Sequence, residues 1–220
     1  MRPAPPADCS LCPRLAAFRA ANRMAFPDWH NAPVESFGDP AARLLIVGLA
    51  PGLRGANRTG RPFTGDHAGQ LLYPTLLRFG FARGRFRAEP DDALQLIDCR
   101  ITNAVRCVPP ENRPLGGEVN ACRDFLAAEL TGPPAPELVL ALGGIAHGSV
   151  LRALNQSARR YPFTHGALYR IEGGPALAPC YHCSRYNLNT GRLTAAMFEA
   201  VFAQLRRALA ARDRDATLPV

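Results

Sequence analysis

The sequence contains no lysine: all 26 of its basic residues are arginine. It also has no apolar run near twenty residues long, which excludes a membrane-spanning helix. Neither Gly-Lys-Ser/Thr nor GxGxxG occurs, so the usual phosphate-loop and dinucleotide fingerprints are missing. The opening residues, MRPAPPADCSLCPRL, hold no apolar segment ahead of a cleavage site. The sequence therefore predicts no secretory signal, no membrane partner and a cytoplasmic protein. No repeat or long linker divides the 220 residues, which suits one domain over 1–220, expected to act as a monomer.

What is present is apolar enough for a core, at 47%, and rich in loops, with 21 prolines and 19 glycines. The net charge of +8 is carried by guanidinium groups, which fork onto phosphates and stack on bases, so an anionic partner is one reading. A basic protein without polyanion affinity is the other.

Strand and helix patterns alternate. Residues 43–48 (RLLIVG), 96–105 and 137–142 are β-rich apolar runs, and shorter ones lie at 168–172 and 176–178. Helical spacing follows Asp66 (HAGQLLYPTLLRFGF) and recurs over 118–130, 145–155 and 194–212, leaving a frayed tail at 213–220. The alternation predicts an α/β fold, a three-layer α/β/α sandwich around a central, mainly parallel sheet. Loops at the carboxyl ends of such strands form the ligand crevice, which singles out residues 49–66, 103–117 and 181–192.

Seven cysteines in a chain read as cytosolic favour metal or cluster ligation over disulfides. Cys9-x2-Cys12 with Cys107 and Cys122 would hold zinc or an iron–sulfur cluster equally well, Cys180-x2-Cys183 is a competing pair, and Cys99 reads as a core thiol. The first loop, GLAPGLRGANRTGRPFTGD, reads as structureless and offers Arg54, Arg58 and Arg61 as phosphate contacts or solvated charges. Phe63 is a stacking ring or a core anchor, and Asp66 an N-cap, a water-holding carboxylate, or both. In the third loop His182, Ser184, Asn187 and Arg192 suit polar edges and phosphates. His30, His67, His147 and His165 have no comparable neighbourhood. Asn103, at a strand end, has an amide able to read a base edge or cap a turn.

Together, Gly48-Leu-Ala-Pro-Gly52, Gly60-Arg-Pro-Phe-Thr-Gly-Asp66, the block from Ile101 to Asn112 and His182-Cys-Ser-Arg-Tyr-Asn187 resemble the uracil-DNA glycosylase superfamily, in its iron–sulfur branch of families 4 and 5. Leu49 stands where family 4 has an acidic residue, so the likeness is closest to family 5. The resemblance implies a [4Fe–4S] cluster on Cys9, Cys12, Cys107 and Cys122, with Cys180 and Cys183 left out. It implies that Asp66 holds the attacking water; were Asp66 a cap and nothing more, Asn112 in the neighbouring loop is the second choice. Gly48, Ala50, Phe63 and Asn103 form the base-binding set, in which Phe63 stacks on the flipped base and Asn103 reads its edge; His182 donates to the departing base. Arg54, Arg58, Arg61, Ser184, Arg185, Tyr186 and Asn187 face DNA, with Arg185 and Tyr186 as wedges. Many relatives have proline where this chain has Cys183. The implied activity is hydrolysis of the N-glycosidic bond of uracil, and of deaminated purines such as hypoxanthine, in damaged DNA. A family 4 enzyme restricted to uracil and an inactive iron–sulfur nucleic-acid-binding protein are the alternatives.

Overall fold

The computed structural model describes residues 4–217. In chain order its elements are α1 (Pro13–Ala25), β1 (Phe37–Gly38), β2 (Leu44–Gly48), α2 (Ala56–Thr59), α3 (Gly69–Arg78), β3 (Ala82–Arg83), β4 (Gln95–Leu96) and β5 (Cys99–Asn103). There follow α4 (Gly116–Ala121), α5 (Arg123–Thr131), β6 (Leu138–Leu142), α6 (Gly144–Ala153), β7 (Tyr169–Arg170), β8 (Ala176–Cys180), α7 (Arg185–Asn189) and α8 (Ala195–Thr217).

Six strands form the main sheet in the order β1-β5-β2-β6-β8-β7. The inner four are parallel, and the edges β1 and β7 run antiparallel. Every residue of β2, β6 and β8 is buried, as expected of strands covered on both faces. Period-two alternation divides them between two cores. Leu44, Ile46 and Leu140 pack with Leu72 and Leu76 of α3 and Phe198 and Phe202 of α8. Leu45, Val47 and Val139 pack on the opposite face with Leu126 and Leu130 of α5 and Val150 and Leu151 of α6. These are the three layers that the alternating pattern predicts.

Four local expectations are corrected. The strand over 96–105 breaks at Asp98, which takes φ 50, so Gln95–Leu96 pairs with β3 while Cys99–Asn103 joins the main sheet. The helix over 118–130 divides at Cys122 into α4 and α5. The first loop is not structureless, because α2 forms one turn within it. The tail is helical as far as Thr217, and Asp213 pairs with Arg43; positions 218–220 of the expected frayed tail lie outside the described residues.

Candidate functional site

A cavity of about 290 Å³ opens where β2, β5 and β8 end, lined by Ala50, Phe63, Asp66, His67, Asn103, Asn112 and His182 among others. Gly48 and Asn103 are register partners at adjacent strand ends. A Cβ on Gly48 would lie 2.4 Å from Asn103 Oδ1 and 2.7 Å from Phe63 Cζ. Only a residue without a side chain lets amide and ring converge there. Phe63 sits at φ 55 and is 6% exposed. It is a core anchor and a wall of the cavity at once, its ring 6.1 Å from that of His182 and tilted by 31°.

Asp66 lies at the start of α3 and at the wall of the cavity. The N-cap position of α3 is Ala68, but Asp66 Oδ1, two residues upstream, accepts from Gly69 N at 3.1 Å. Its other oxygen lies over the glycine loop, where a Cβ on Gly55 would come within 2.7 Å of Oδ2. Burial raises the Asp66 pKa, opposed by the amides of Gly69 and Ala68 and by His67. A carboxylate short of solvent at a cavity wall is well placed to act on a single water.

His182 lies two residues beyond the end of β8. Its carbonyl accepts from Asn187 Nδ2 at 2.8 Å. Burial lowers its pKa, which favours an uncharged ring at neutral pH. Ser184 caps α7, its Oγ accepting from Asn187 N at 3.4 Å. The polar atoms of Ser184 and Asn187, expected to face DNA, thus hold the His182 loop. Asn112 Oδ1 accepts from Leu53 N at 3.4 Å, tying the first and second loops across the cavity.

The arginines separate. Arg54 and Arg185 are exposed, Arg185 lining the cavity, and Arg58 is half-buried; Tyr186 is 70% exposed. Arg61 is a correction: its guanidinium is buried and forks onto both oxygens of Asp92 at 2.7 and 2.9 Å, so it cannot meet a phosphate. Burial works against ionisation of Asp92, but Arg61 and the amides of Arg87 and Leu94 outweigh it and hold that carboxyl at about 2.

Four thiols gather away from this cavity. Cys9, Cys12, Cys107 and Cys122 line one small cavity with Arg19 and Arg106. Burial first, then Cys122, Glu118 and Cys9, push the Cys12 thiol up to about 11. Cys107 reaches about 11 through burial, with Cys122 and Cys9 adding to it against Arg19. Arg19 Nη1 stands 3.5 Å from Cys107 Sγ, and the Arg106 amide bonds to Cys122. Among the described residues no three or more His, Cys, Asp or Glu meet as they would round a single ion. Cys99, Cys180 and Cys183 belong to the main core.

Sequence reasoning passed over His67, whose Nδ1 is buried without a hydrogen-bond partner at the cavity; its place beside Asp66 was the available signal. It also passed over Arg19 and Arg106, which no local pattern links to the cysteines.

Residues 35–206 match the family model of the uracil DNA glycosylase superfamily. The chain is 44% identical over 205 residues to a type-5 uracil-DNA glycosylase of Thermus thermophilus, covering 90% of this chain and 93% of that protein. It is 42% identical to one of Mycobacterium leprae over 90% of each. A type-4 uracil-DNA glycosylase of Pyrobaculum aerophilum is 36% identical over 62% of this chain and 63% of its own. A family match spanning the sheet and the cavity, with full-length relatives of one type, leaves a single conclusion: the chain belongs to the uracil DNA glycosylase superfamily.

Proposed function

We propose that the protein excises uracil from DNA by hydrolysing the N-glycosidic bond, and that its range extends to deaminated purines such as hypoxanthine. The observation that carries this reading is the convergence of Asp66, Phe63, Asn103 and His182 on one base-sized cavity in a chain of this family. Duplex DNA hides the scissile bond, so the nucleotide is flipped into the cavity, at a cost of a few kcal/mol that Tyr186, exposed at the rim, offsets by filling the vacated stack. Phe63 then lies against the base and the Asn103 amide meets its polar edge. As the bond breaks, its electron pair leaves with the base. The neutral His182 ring donates a hydrogen bond to that developing anion, and the Asp66 carboxylate balances the cationic sugar and takes a proton from the water that adds to it.

The four cysteines, three of them buried, support a resident [4Fe–4S] cluster. Arg19 and Arg106 supply positive partners for its thiolates. When bound, such a cluster ties the N-terminal segment to the loop after β5 and contributes nothing to the reacting atoms.

Oligonucleotides carrying one uracil or one hypoxanthine, incubated with the protein and then treated with alkali, test the reading. Strand breaks at both are expected. Breaks at uracil alone would confine the protein to the narrower type, and binding without breakage would make it an inert reader of DNA.

Affinity for undamaged duplex is expected to fall steeply with salt, with Arg54→Ala and Arg185→Ala each reducing the slope of log K against log salt by about 1. Arg61→Ala is expected to leave that slope unchanged but to cost about 3–5 kcal/mol of stability, because it strands the buried Asp92. Fluorescence anisotropy across a salt series and a denaturant melt measure the two; a flat salt dependence would show that the rim arginines do not face DNA.

A further inference from the structure

We propose that His165 is a positioning residue for base release: its imidazole replaces a missing strand neighbour and fixes the backbone that presents His182. The inference rests on the glycosylase reading above. β7 covers only Ala176 and Leu177 of the outer edge of β8. Further along that edge the turn at 165–166 takes over. Gly166 N donates to Pro179 O at 2.9 Å, and Tyr181 N donates to His165 Nδ1 at 3.2 Å. A ring nitrogen therefore stands where a neighbouring strand would offer a carbonyl.

The ring itself is oriented twice over. Besides that bond, it stacks on Tyr181 with centroids 4.9 Å apart and planes within 3°. Tyr181 is held in turn by the Arg192 guanidinium, 4.9 Å from its centroid, and by Phe163 at 5.7 Å. To accept the amide, Nδ1 must be unprotonated, so the neutral ring carries its proton on Nε2. Burial of His165 favours that neutral form.

The bonded amide belongs to the residue just before His182. On the other side, the His182 carbonyl is held by Asn187 Nδ2. His182 is thus suspended between two side-chain clamps, and it reaches the departing base only while both hold. A displacement near 1 Å in a group that must meet a developing charge costs about 100-fold in rate, while the cavity and the rim that bind DNA are left in place.

His165→Ala, His165→Gln and His165→Asn separate this from a packing role. Asn places its oxygen where Nδ1 stands, whereas Gln places its oxygen nearer the Nε2 position. Single-turnover uracil excision should fall about 10–100-fold in the Ala and Gln variants and stay within about threefold of native in the Asn variant. Affinity for the uracil-containing duplex should change less than about twofold in all three. Should the Ala variant fail to fold, the Asn–Gln comparison at matched thermal melts carries the test. Native rates in Ala or Gln, or equal losses in Asn and Gln, would overturn the inference. Failure of the native protein to excise uracil would instead fail the glycosylase reading before any variant is made.

Discussion

Asp66→Asn is expected to slow single-turnover uracil excision by about 10²–10⁴-fold, the scale of a positioned acid–base group, and to leave the thermal melt at or above that of the native protein. The two halves come from separate oxygens. Oδ1 accepts from Gly69 N, and an Asn oxygen accepts equally well, so the start of α3 loses only a few tenths of a kcal/mol at most. What Asn removes is the charge. Burial raises the Asp66 pKa above its ordinary carboxylate value, so the folded state binds a proton more tightly than the unfolded chain. Stability then falls as pH rises through the window between the two pKa values, and above it the ionised group is a standing cost to the fold. Asn takes that cost away. Activity has the opposite sign, because excision needs the carboxylate ionised, and its acid limb should lie above the range of an exposed aspartate. Asp66→Ala is the poorer test, since it removes cap and charge together. Near-native excision by Asp66→Asn would reduce Asp66 to a cap and pass the water to Asn112 across the cavity.

How much of this could be read from the sequence depended on whether the governing contacts were local. β2 and β6 were legible because five consecutive buried residues leave an unbroken apolar run. The glycine loop, Phe63, Asn103 and His182 were legible as a set because parallel strands deliver their carboxyl ends to one side of the sheet. α1 was not, because its buried residues are Leu15, Arg19 and Asn22. A helix that buries an arginine and an asparagine, the arginine against thiols, shows no apolar stripe. Arg61 looked like a free cation because its partner, Asp92, lies 31 residues on, beyond any local pattern. His165 is 16 residues from the amide that it accepts, and nothing near it in sequence marks it. His67 is different in kind: its neighbour Asp66 was already singled out, and the adjacency was there to be weighed.

Cys107→Ser is expected to yield a colourless protein whose N-terminal helix opens, whereas Cys180→Ser should keep both its brown colour and that helix. The difference lies in what holds α1 down. The small core beneath it consists of Cys12, Leu15, Val105, Cys107, Val119, Cys122 and Phe125, so three of its seven members are thiols. Ordering the 13 residues of α1 costs about 1–2 kcal/mol each in backbone entropy. Against that, Leu15 contributes about 1.5–3 kcal/mol by burial, and the partly exposed Arg14–Glu118 pair about 0–1 kcal/mol. Arg19 spends its guanidinium on Cys107 Sγ and the Cys9 carbonyl, so it too depends on the thiol site. Structural metal sites bind with about 10–16 kcal/mol, and in a site absent from the unfolded chain that energy is folding energy. If the proposed cluster is bound, losing one of its ligands removes the principal attachment of α1 while the main sheet, whose two cores do not include these cysteines, stands. Trypsin reads the event directly: Arg19 is 5% exposed and can be cut only once α1 has lifted. Iron and sulfide analysis, visible absorption of anaerobic preparations and a tryptic time course should therefore move together in Cys107→Ser and stay native in Cys180→Ser, whose thiol is buried in the main core. Stoichiometric zinc without iron in the native protein would replace the cluster by a single ion. A colourless Cys107→Ser that resists trypsin at Arg19 would show that packing alone holds the helix.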